Sequence, residues 1–284
     1  MSGQVGVVGA GTMGRGIAEV AALAGFDVVV WYVAPETGES VAAALQRSLT
    51  RRVERGELAR EVADAALRRC STTAELSELA GCALVVEAVV EELATKRALF
   101  AELDRHLADT AVLATNTSTL SVASIAAAVR RPERVCGIHF FNPAPVMALV
   151  EVARPAGASD ATIEAALAFA RACGKTPVEV ADRPGFIVNA LLFPYLNGAV
   201  RMLAEGVATA EAIDEAMVGG CNMPIGPLHL LDLIGLDTSV AILDALAEAT
   251  GDPAVTAAPL LREMVAAGRL GRKSGSGFFG YEAR

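Results

Sequence analysis

The stretch Gln4-Val5-Gly6-Val7-Val8-Gly9-Ala10-Gly11-Thr12-Met13-Gly14 decides the fold of this chain. Its first half is a short β-branched run typical of a buried strand, and its second half matches G-x-G-x-x-G at the start of a helical pattern. In that pattern the first glycine permits a tight turn, the second lets the backbone approach a pyrophosphate, and the third lets the helix pack against the strand. The stretch predicts a dinucleotide site at a helix N-terminus. The residues expected around the phosphates are Gly9, Gly11, Thr12, Met13 and Gly14.

Strand and helix patterns alternate beyond this stretch. The predicted strands cover residues 4–8, 28–32, 84–87, 112–115, 135–139, 149–153 and 177–180. Helical patterns lie between most of them, which is typical of a parallel sheet with helices on both faces. We therefore predict a Rossmann-like, doubly wound α/β domain over residues 1–182.

The pattern changes at Asp182-Arg183-Pro184-Gly185, a run of turn-forming residues. Beyond it the strand-like runs disappear, while helical periodicity continues over residues 189–204, 210–218 and 238–249. A chain of 284 residues is also longer than most single cores. We expect a second, all-helical domain over residues 183–284.

Charge and cysteine content exclude several classes of protein. The net charge is -9 and the sequence pI is about 5.0, whereas a protein that neutralises phosphates needs clustered excess cations. We therefore expect no nucleic-acid partner and a small-molecule role. The five cysteines are scattered, odd in number and without the paired spacing of a zinc site, so we expect buried thiols and no metal.

We expect the protein to be cytoplasmic, because its N-terminus lacks the charged and apolar regions of a signal peptide. The most hydrophobic helical window covers residues 186–203 and contains Asn189, Pro194, Asn197 and Arg201. These residues favour a buried interdomain helix over a membrane span.

The end of the second predicted strand leaves the choice of cofactor open. An acidic residue is expected there to bind the ribose 2′-hydroxyl of NAD, but the strand reads Val28-Val29-Val30-Trp31-Tyr32-Val33. Tyr32 can still hydrogen-bond a ribose hydroxyl, while the missing carboxylate removes the repulsion that excludes NADP. Because no arginine follows until Arg47, the sequence favours NAD over NADP.

A candidate pair for proton transfer comes later. His139 lies in Gly137-Ile138-His139-Phe140-Phe141-Asn142-Pro143, and Glu151 follows twelve residues later on the next apolar run. A neutral imidazole can accept a proton near pH 7, and a carboxylate on its other nitrogen stabilises the imidazolium. The alternative is a core histidine at a strand end.

These features together resemble the 3-hydroxyacyl-CoA dehydrogenases, most closely the short 3-hydroxybutyryl-CoA dehydrogenase type. The similarity extends over essentially the whole chain. The motifs that carry it are residues 9–18, 85–91, 116–120, 139–151, 184–189, 226–227, 231–232, 235–237 and 271–278.

The resemblance implies hydride exchange between a nicotinamide and carbon 3 of an acyl thioester. His139 would move the hydroxyl proton, Glu151 would orient the ring, Ser118 would hydrogen-bond the reacting oxygen, and Asn189 would hold the substrate from another wall. It also implies a homodimer formed through the helical domain. The further cofactor-binding residues implied by the resemblance and the fingerprint are Tyr32, Glu91, Lys96, Asn116, Ser118 and Asn142.

Several of these residues have a structural alternative. Ser118 could be a helix N-cap, as Ser121 could. Lys96 could merely pair with Glu92, four residues earlier. Of the other two histidines, His106 and His229, neither has a partner in these motifs, and we interpret both as ordinary positions.

An arginine-rich helical hairpin is predicted over about residues 39–69. By resemblance, this insertion contacts the CoA part of the substrate, and Arg51 and Arg55 are the favoured contacts. An acidic acyl carrier protein with the same pantetheine arm would suit the surface equally well. Alternatively, the arginines could simply pair with Glu54, Glu57 and Glu61 on a solvated helix face.

Two other functions remain open. A dehydrogenase of non-thioester hydroxy acids also has a glycine fingerprint and a helical domain, but depends on a lysine where this chain has Asn189. A non-catalytic cofactor-binding protein is the least favoured, because Ser118, His139 and Glu151 occur together with Asn189.

Overall fold

The computed structural model describes residues 3–33 and 35–282, and for residues 35–40 it describes the backbone only. The chain divides into two compact units, residues 1–182 and 183–284. The division falls between Asp182 and Arg183, where the strand pattern of the sequence ends.

An eight-stranded sheet forms the centre of the first unit, with the order β3-β2-β1-β4-β5-β6-β7-β8. Its strands are β1 (Gln4–Val8), β2 (Asp27–Trp31), β3 (Cys70–Thr73), β4 (Cys82–Glu87), β5 (Val112–Thr115), β6 (Val135–Phe140), β7 (Leu149–Arg154) and β8 (Thr176–Ala181). The strand order steps outward from β1 in both directions, which confirms the predicted doubly wound, Rossmann-like fold.

The sheet is not wholly parallel, which corrects the prediction. β7 runs antiparallel to β6, whereas every other neighbouring pair is parallel. Residues 141–148 join β6 to β7, and a link of eight residues is too short for the crossover that a parallel pair requires.

The α-helices that accompany this sheet in the described residues are α1 (Thr12–Leu23), α2 (Pro35–Glu54), α3 (Arg60–Arg69), α4 (Leu93–His106), α5 (Val122–Ala126) and α6 (Asp160–Ala172). β1 is buried from Val5 to Val8, in accord with a strand covered on both faces. α2 and α3 form the predicted arginine-rich hairpin, although α2 begins at Pro35, four residues earlier than expected. The hairpin ends directly in β3.

The second unit consists of α7 (Val188–Ala204), α8 (Ala210–Cys221), α9 (Pro227–Ile234), α10 (Leu236–Thr250) and α11 (Pro259–Ala266). Its core contains fully buried leucines from several helices, including Leu196, Leu228, Leu243 and Leu261. The predicted helical character of this unit is confirmed. In the part of the chain that the structure describes, no helix combines the length and the apolarity needed to cross a membrane.

Candidate active site

The glycine loop between β1 and α1 has the geometry of a pyrophosphate cradle. Gly9 has φ +116, and a Cβ on it would lie 2.6 Å from the carbonyl oxygen of Ala88, so only glycine fits there. A Cβ on Gly11 would meet no described atom within 4 Å, so the backbone at this residue faces open space at the start of α1. The loop therefore leaves room for a phosphate at the N-terminus of the helix.

Tyr32 lies directly after β2, beside this loop. The Gly9 amide donates to the carbonyl of Trp31 over 3.0 Å, and the Tyr32 amide donates to the carbonyl of Thr73 over 3.1 Å. The indole nitrogen of Trp31 also donates to the carbonyl of Ala74 over 3.0 Å. These bonds fix Tyr32 at the position where an acidic residue was expected.

His139 and Glu151 face each other across β6 and β7. They are directly opposite in the antiparallel register, and His139 Nδ1 lies 2.9 Å from Glu151 Oε2. Both side chains are buried, with 6% of His139 and 1% of Glu151 exposed. In the neutral ring this bond places the proton on Nδ1, so Nε2 carries the lone pair that can accept another proton.

The next turn supports the end of β6. Asn116 Oδ1 accepts a hydrogen bond from the Phe140 amide over 2.9 Å, and the Asn116 amide donates to the carbonyl of Glu87 over 2.8 Å. The peptide bond between Asn142 and Pro143 is cis. Asn116 thus ties β4 to the residue after His139, while the predicted cofactor contacts of Asn116 and Asn142 stay predictions.

Ser118 lies in a turn held by Glu91. Glu91 Oε1 accepts from the hydroxyl of Thr117 over 2.5 Å, from the Ser118 amide over 2.9 Å and from the Thr119 amide over 3.2 Å. α5 begins after this turn, and its N-cap is Ser121, which accepts from the Ser124 amide over 3.2 Å. Ser118 is therefore not the N-cap of that helix.

Lys96 does not pair with Glu92, which corrects that alternative. Its ammonium donates to Glu87 Oε1 over 2.6 Å and lies 3.3 Å from Glu91 Oε2. Only 1% of the Lys96 side chain and none of the Glu87 side chain is exposed, whereas 38% of the Glu91 side chain is. Glu91 therefore has an accessible face for a ligand, and the predicted contact of Lys96 with a cofactor stays a prediction.

The local contacts keep Glu91 ionised. Burial alone would raise its pKa, but Lys96 and the donors of Thr117, Ser118 and Thr119 outweigh burial, so the pKa of Glu91 is lowered. The turn therefore rests on a carboxylate that accepts hydrogen bonds and donates none.

The sequence patterns do not indicate that Glu87, Thr115 and Thr117 take part in the hydrogen bonds around Lys96 and Glu91. One signal was available, since Glu87 is the acidic end of the otherwise apolar Leu84-Val85-Val86 run. A carboxylate at the carboxyl end of a central parallel strand lies at the edge where α/β proteins bind ligands.

Asn189 lies in the helical unit, in the first turn of α7, and is 7% exposed. The residues before it have an uncommon backbone: Gly185 has φ +72 and Phe186 has φ +47. A positive φ is a rare conformation for a bulky residue. The predicted contact of Asn189 with substrate stays a prediction.

The arginines of the hairpin fall into two groups. Arg52 turns inward, 3.2 Å from Glu19 on α1 and 3.7 Å from Glu57. Arg51 is exposed, and so is Arg55, which pairs with Glu57 over 2.9 Å. The pairing alternative thus holds for Arg52 and Arg55, and the exposed Arg51 and Arg55 stay candidates for carrier contact.

His229 has a partner that lies outside the motifs. Its Nδ1 lies 2.6 Å from Asp214 Oδ2, and its ring stacks on Phe279 with a centroid distance of 3.6 Å. Asp214 also accepts from the Leu228 and His229 amides over 2.8 and 2.9 Å, at the start of α9. This pair secures a helix N-terminus inside the second unit.

Comparisons with known proteins cover both units. The family model for the 3-hydroxyacyl-CoA dehydrogenase NAD binding domain matches residues 4–183, and the model for the C-terminal domain matches residues 185–281. The chain is 47% identical over 280 residues to a Mycobacterium tuberculosis 3-hydroxybutyryl-CoA dehydrogenase, covering 98% of each chain. A probable 3-hydroxybutyryl-CoA dehydrogenase of Bacillus subtilis is 45% identical, covering 99% of this chain and 98% of that protein. The solved (S)-3-hydroxybutyryl-CoA dehydrogenase of Ralstonia eutropha is 41% identical, covers 100% of both chains and superposes with a TM-score of 0.95.

Proposed function

The chain belongs to the 3-hydroxyacyl-CoA dehydrogenase family, and we propose that His139 moves the hydroxyl proton while a hydride passes between NAD and carbon 3 of a short 3-hydroxyacyl-CoA. The observation that carries the role of His139 is its buried bond of 2.9 Å to Glu151. The names of the relatives support 3-hydroxybutyryl-CoA and acetoacetyl-CoA as the substrate pair, with S configuration at carbon 3.

In the oxidation direction, His139 Nε2 accepts the proton of the 3-hydroxyl group. The ring becomes an imidazolium, and the Glu151 carboxylate stabilises its positive charge. In the reduction direction, Nε2–H returns the proton to the oxygen. Ser118 donates a hydrogen bond to that oxygen, and Asn189 holds the thioester.

The residues around the glycine loop fit a dinucleotide. Gly9 and Gly11 shape the loop at the start of α1. Tyr32 would face the ribose next to the adenine, and Glu91 would accept from the ribose next to the nicotinamide. When bound, NAD accepts or supplies the hydride. The family model of this domain is described as NAD binding, and Tyr32 supplies a phenol rather than a charge at the position that distinguishes NAD from NADP.

The family name supports CoA as the carrier of the acyl group. We propose that Arg51 and Arg55 bind its phosphates, since both side chains are exposed, Arg51 in the last turn of α2 and Arg55 directly after that helix. An acyl carrier protein is the second candidate, because its acidic surface would complement the same arginines.

A panel of substrates tests this assignment in the reduction direction. We expect acetoacetyl-CoA to oxidise NADH faster than free acetoacetate does, by about tenfold or more, because contacts with the carrier contribute to the rate as well as to binding. We also expect a lower rate with acetoacetyl groups on a carrier protein, and a lower rate with NADPH than with NADH. The measurement is the loss of NADH or NADPH absorbance at matched concentrations.

The panel separates the alternatives. Equal rates with acetoacetate would favour a non-thioester hydroxy acid as substrate, and a higher rate on the carrier protein would favour that partner. A higher rate with NADPH would show that Tyr32 has changed the cofactor preference.

The helical unit carries an apolar groove that supports the proposal of a homodimer. The groove has a volume of about 520 Å³ between α7 and α8, and its lining includes Tyr195, Ala199, Met202, Ala212 and Met217. The Tyr195 hydroxyl is buried and has no hydrogen-bond partner among the described residues. Exposed apolar surface of this kind is typical of a protein interface.

Further exposed apolar side chains lie on the same unit, among them Leu191 at 70% and Val207 at 60% exposure. We therefore expect light scattering to give a mass close to twice 29.2 kDa, and Met202→Glu to give a single copy, because the substitution places a charge in the groove. Leu233→Glu on α9 is the control, since Leu233 is 53% exposed but does not line the groove. A wild-type mass of one copy would contradict the proposal.

We propose a reducing, cytoplasmic location, supported by the state of the cysteines. None of the five is in a disulfide. Burial raises the pKa of Cys136 to about 12 and that of Cys70 to about 11, so both stay protonated and unreactive.

A further inference from the structure

Glu87 lies at the carboxyl end of β4 with none of its side chain exposed. Three groups donate to its carboxylate: the Val89 amide over 2.7 Å, the Lys96 ammonium over 2.6 Å and the Thr115 hydroxyl over 2.8 Å. A fully buried carboxylate is costly unless such donors surround it. Glu87 also lies at the carboxyl edge of the sheet, where α/β proteins bind ligands, which points to a role beyond packing.

The contacts of Glu87 close into a ring. Thr115 donates to Glu87 and accepts from the Thr117 amide over 3.2 Å, and the Thr117 hydroxyl donates to Glu91 over 2.5 Å. Lys96 completes the ring between Glu91 and Glu87. We call these five residues the Glu87 ring. It joins the ends of β4 and β5 to the first turn of α4.

The Glu87 ring leads to Ser118. The Ser118 amide donates to the ring carboxylate of Glu91 over 2.9 Å, and the residues on either side, Thr117 and Thr119, donate to the same oxygen. Three successive residues are thus fixed to Glu91, and Glu91 is in turn fixed by Lys96. A substitution at Glu87 is therefore expected to displace Ser118 through two chains of contacts, one through Lys96 and one through Thr115.

We propose that Glu87 is a positioning residue that sets the place of the Ser118 hydroxyl at the reacting oxygen. The proposal rests on the role of Ser118 in the proposed function. Glutamine in place of Glu87 has nearly the same shape, but it loses the negative charge that faces the Lys96 ammonium. Its amide nitrogen must also face Lys96, Val89 or Thr115, where the carboxylate only accepts hydrogen bonds.

The test is a cycle of the variants Glu87→Gln and Ser118→Ala, alone and combined, assayed with acetoacetyl-CoA and NADH. We expect Glu87→Gln to lower kcat by about tenfold with little change in KM, because displacement of a catalytic group affects the reaction step more than binding. In the Ser118→Ala background we expect the effect of Glu87→Gln on kcat to nearly disappear. A role in stability alone would lower kcat by the same factor in both backgrounds, and that result would overturn the proposal.

Asp104→Asn is the matched control. Asp104 is also a buried carboxylate, 3% exposed, and it is held by Arg130 over 2.6 Å and by Arg134. It does not belong to the Glu87 ring. We expect this variant to lower Tm while the kcat of the folded enzyme stays unchanged.

A second variant covers the case in which Glu87→Gln does not fold. Thr115→Val keeps the shape of a buried strand residue but removes the hydroxyl between Glu87 and Thr117, so the same dependence on Ser118 is expected. Full activity of Ser118→Ala would overturn both the role of Ser118 and this proposal, whereas turnover of acetoacetyl-CoA by the wild-type enzyme would leave the substrate assignment intact.

Discussion

His139→Gln is expected to lower kcat for acetoacetyl-CoA by about 10³-fold, since general acid–base groups contribute on the order of 10²–10⁴ to the rate. Glutamine can still hydrogen-bond Glu151, but it cannot gain or lose a proton at neutral pH. Binding of NADH should survive, because the glycine loop and Tyr32 belong to other strands. The measurements are steady-state turnover and the change in Trp31 emission when NADH is added.

His229→Gln is the matched control for this variant. His229 has a carboxylate partner at 2.6 Å, as His139 has at 2.9 Å, but its partner Asp214 lies at the start of α9. We expect near wild-type turnover from it. If the His139 variant turned over acetoacetyl-CoA at the wild-type rate, the assignment of the proton carrier would be wrong.

Glu151→Gln is expected to lower kcat by about 10²-fold, because a residue that orients a catalytic base and balances its charge contributes less than the base itself. The amide can still accept the Nδ1–H bond, so the ring keeps its place, but the negative charge that favours the imidazolium is gone. Reduction requires the imidazolium. Its rate should therefore fall, which steady-state turnover of acetoacetyl-CoA with NADH measures.

Glu179→Gln provides the comparison. Glu179 lies on β8 beside β7, with 42% of its side chain exposed, and pairs with Arg154 over 2.6 Å. An exposed ion pair of this kind contributes about 0–1 kcal/mol to stability, so the variant should keep near wild-type turnover. Wild-type turnover by Glu151→Gln would refute the charge-balancing role.

The predicted strands were those with apolar runs, and the structure explains the strand that was missed. β3 reads Cys70-Ser71-Thr72-Thr73, and of its residues only Thr73 is buried. It is an edge strand, so its sequence carries no apolar run, and its pairing with β2 depends on backbone hydrogen bonds. The direction of β7 depends on the length of the link formed by residues 141–148. The apolar patterns that predict strands carry no information about that length.

In the candidate site, too, contacts between residues near in sequence could be predicted, and contacts formed only by folding could not. The spacing of His139 and Glu151 suggested their contact because a short hairpin brings them opposite each other. Helical spacing suggests Glu92, the N-cap of α4, as the partner of Lys96, whereas its side chain contacts Glu87 and Glu91. Local spacing rules describe exposed helix faces. They do not describe a lysine that folding buries against a sheet.

The contact between His139 and Glu151, the pair proposed to transfer the proton, depends on the antiparallel pairing of β6 and β7. A shift of one residue in the register would turn Glu151 to the opposite face of the sheet, away from His139. A molecule with β6 and β7 in the wrong register therefore lacks the contact between His139 and Glu151 altogether. The specific activity of a preparation is therefore expected to be proportional to the fraction of molecules in which β6 and β7 have the correct register. Turnover can then be used to measure refolding.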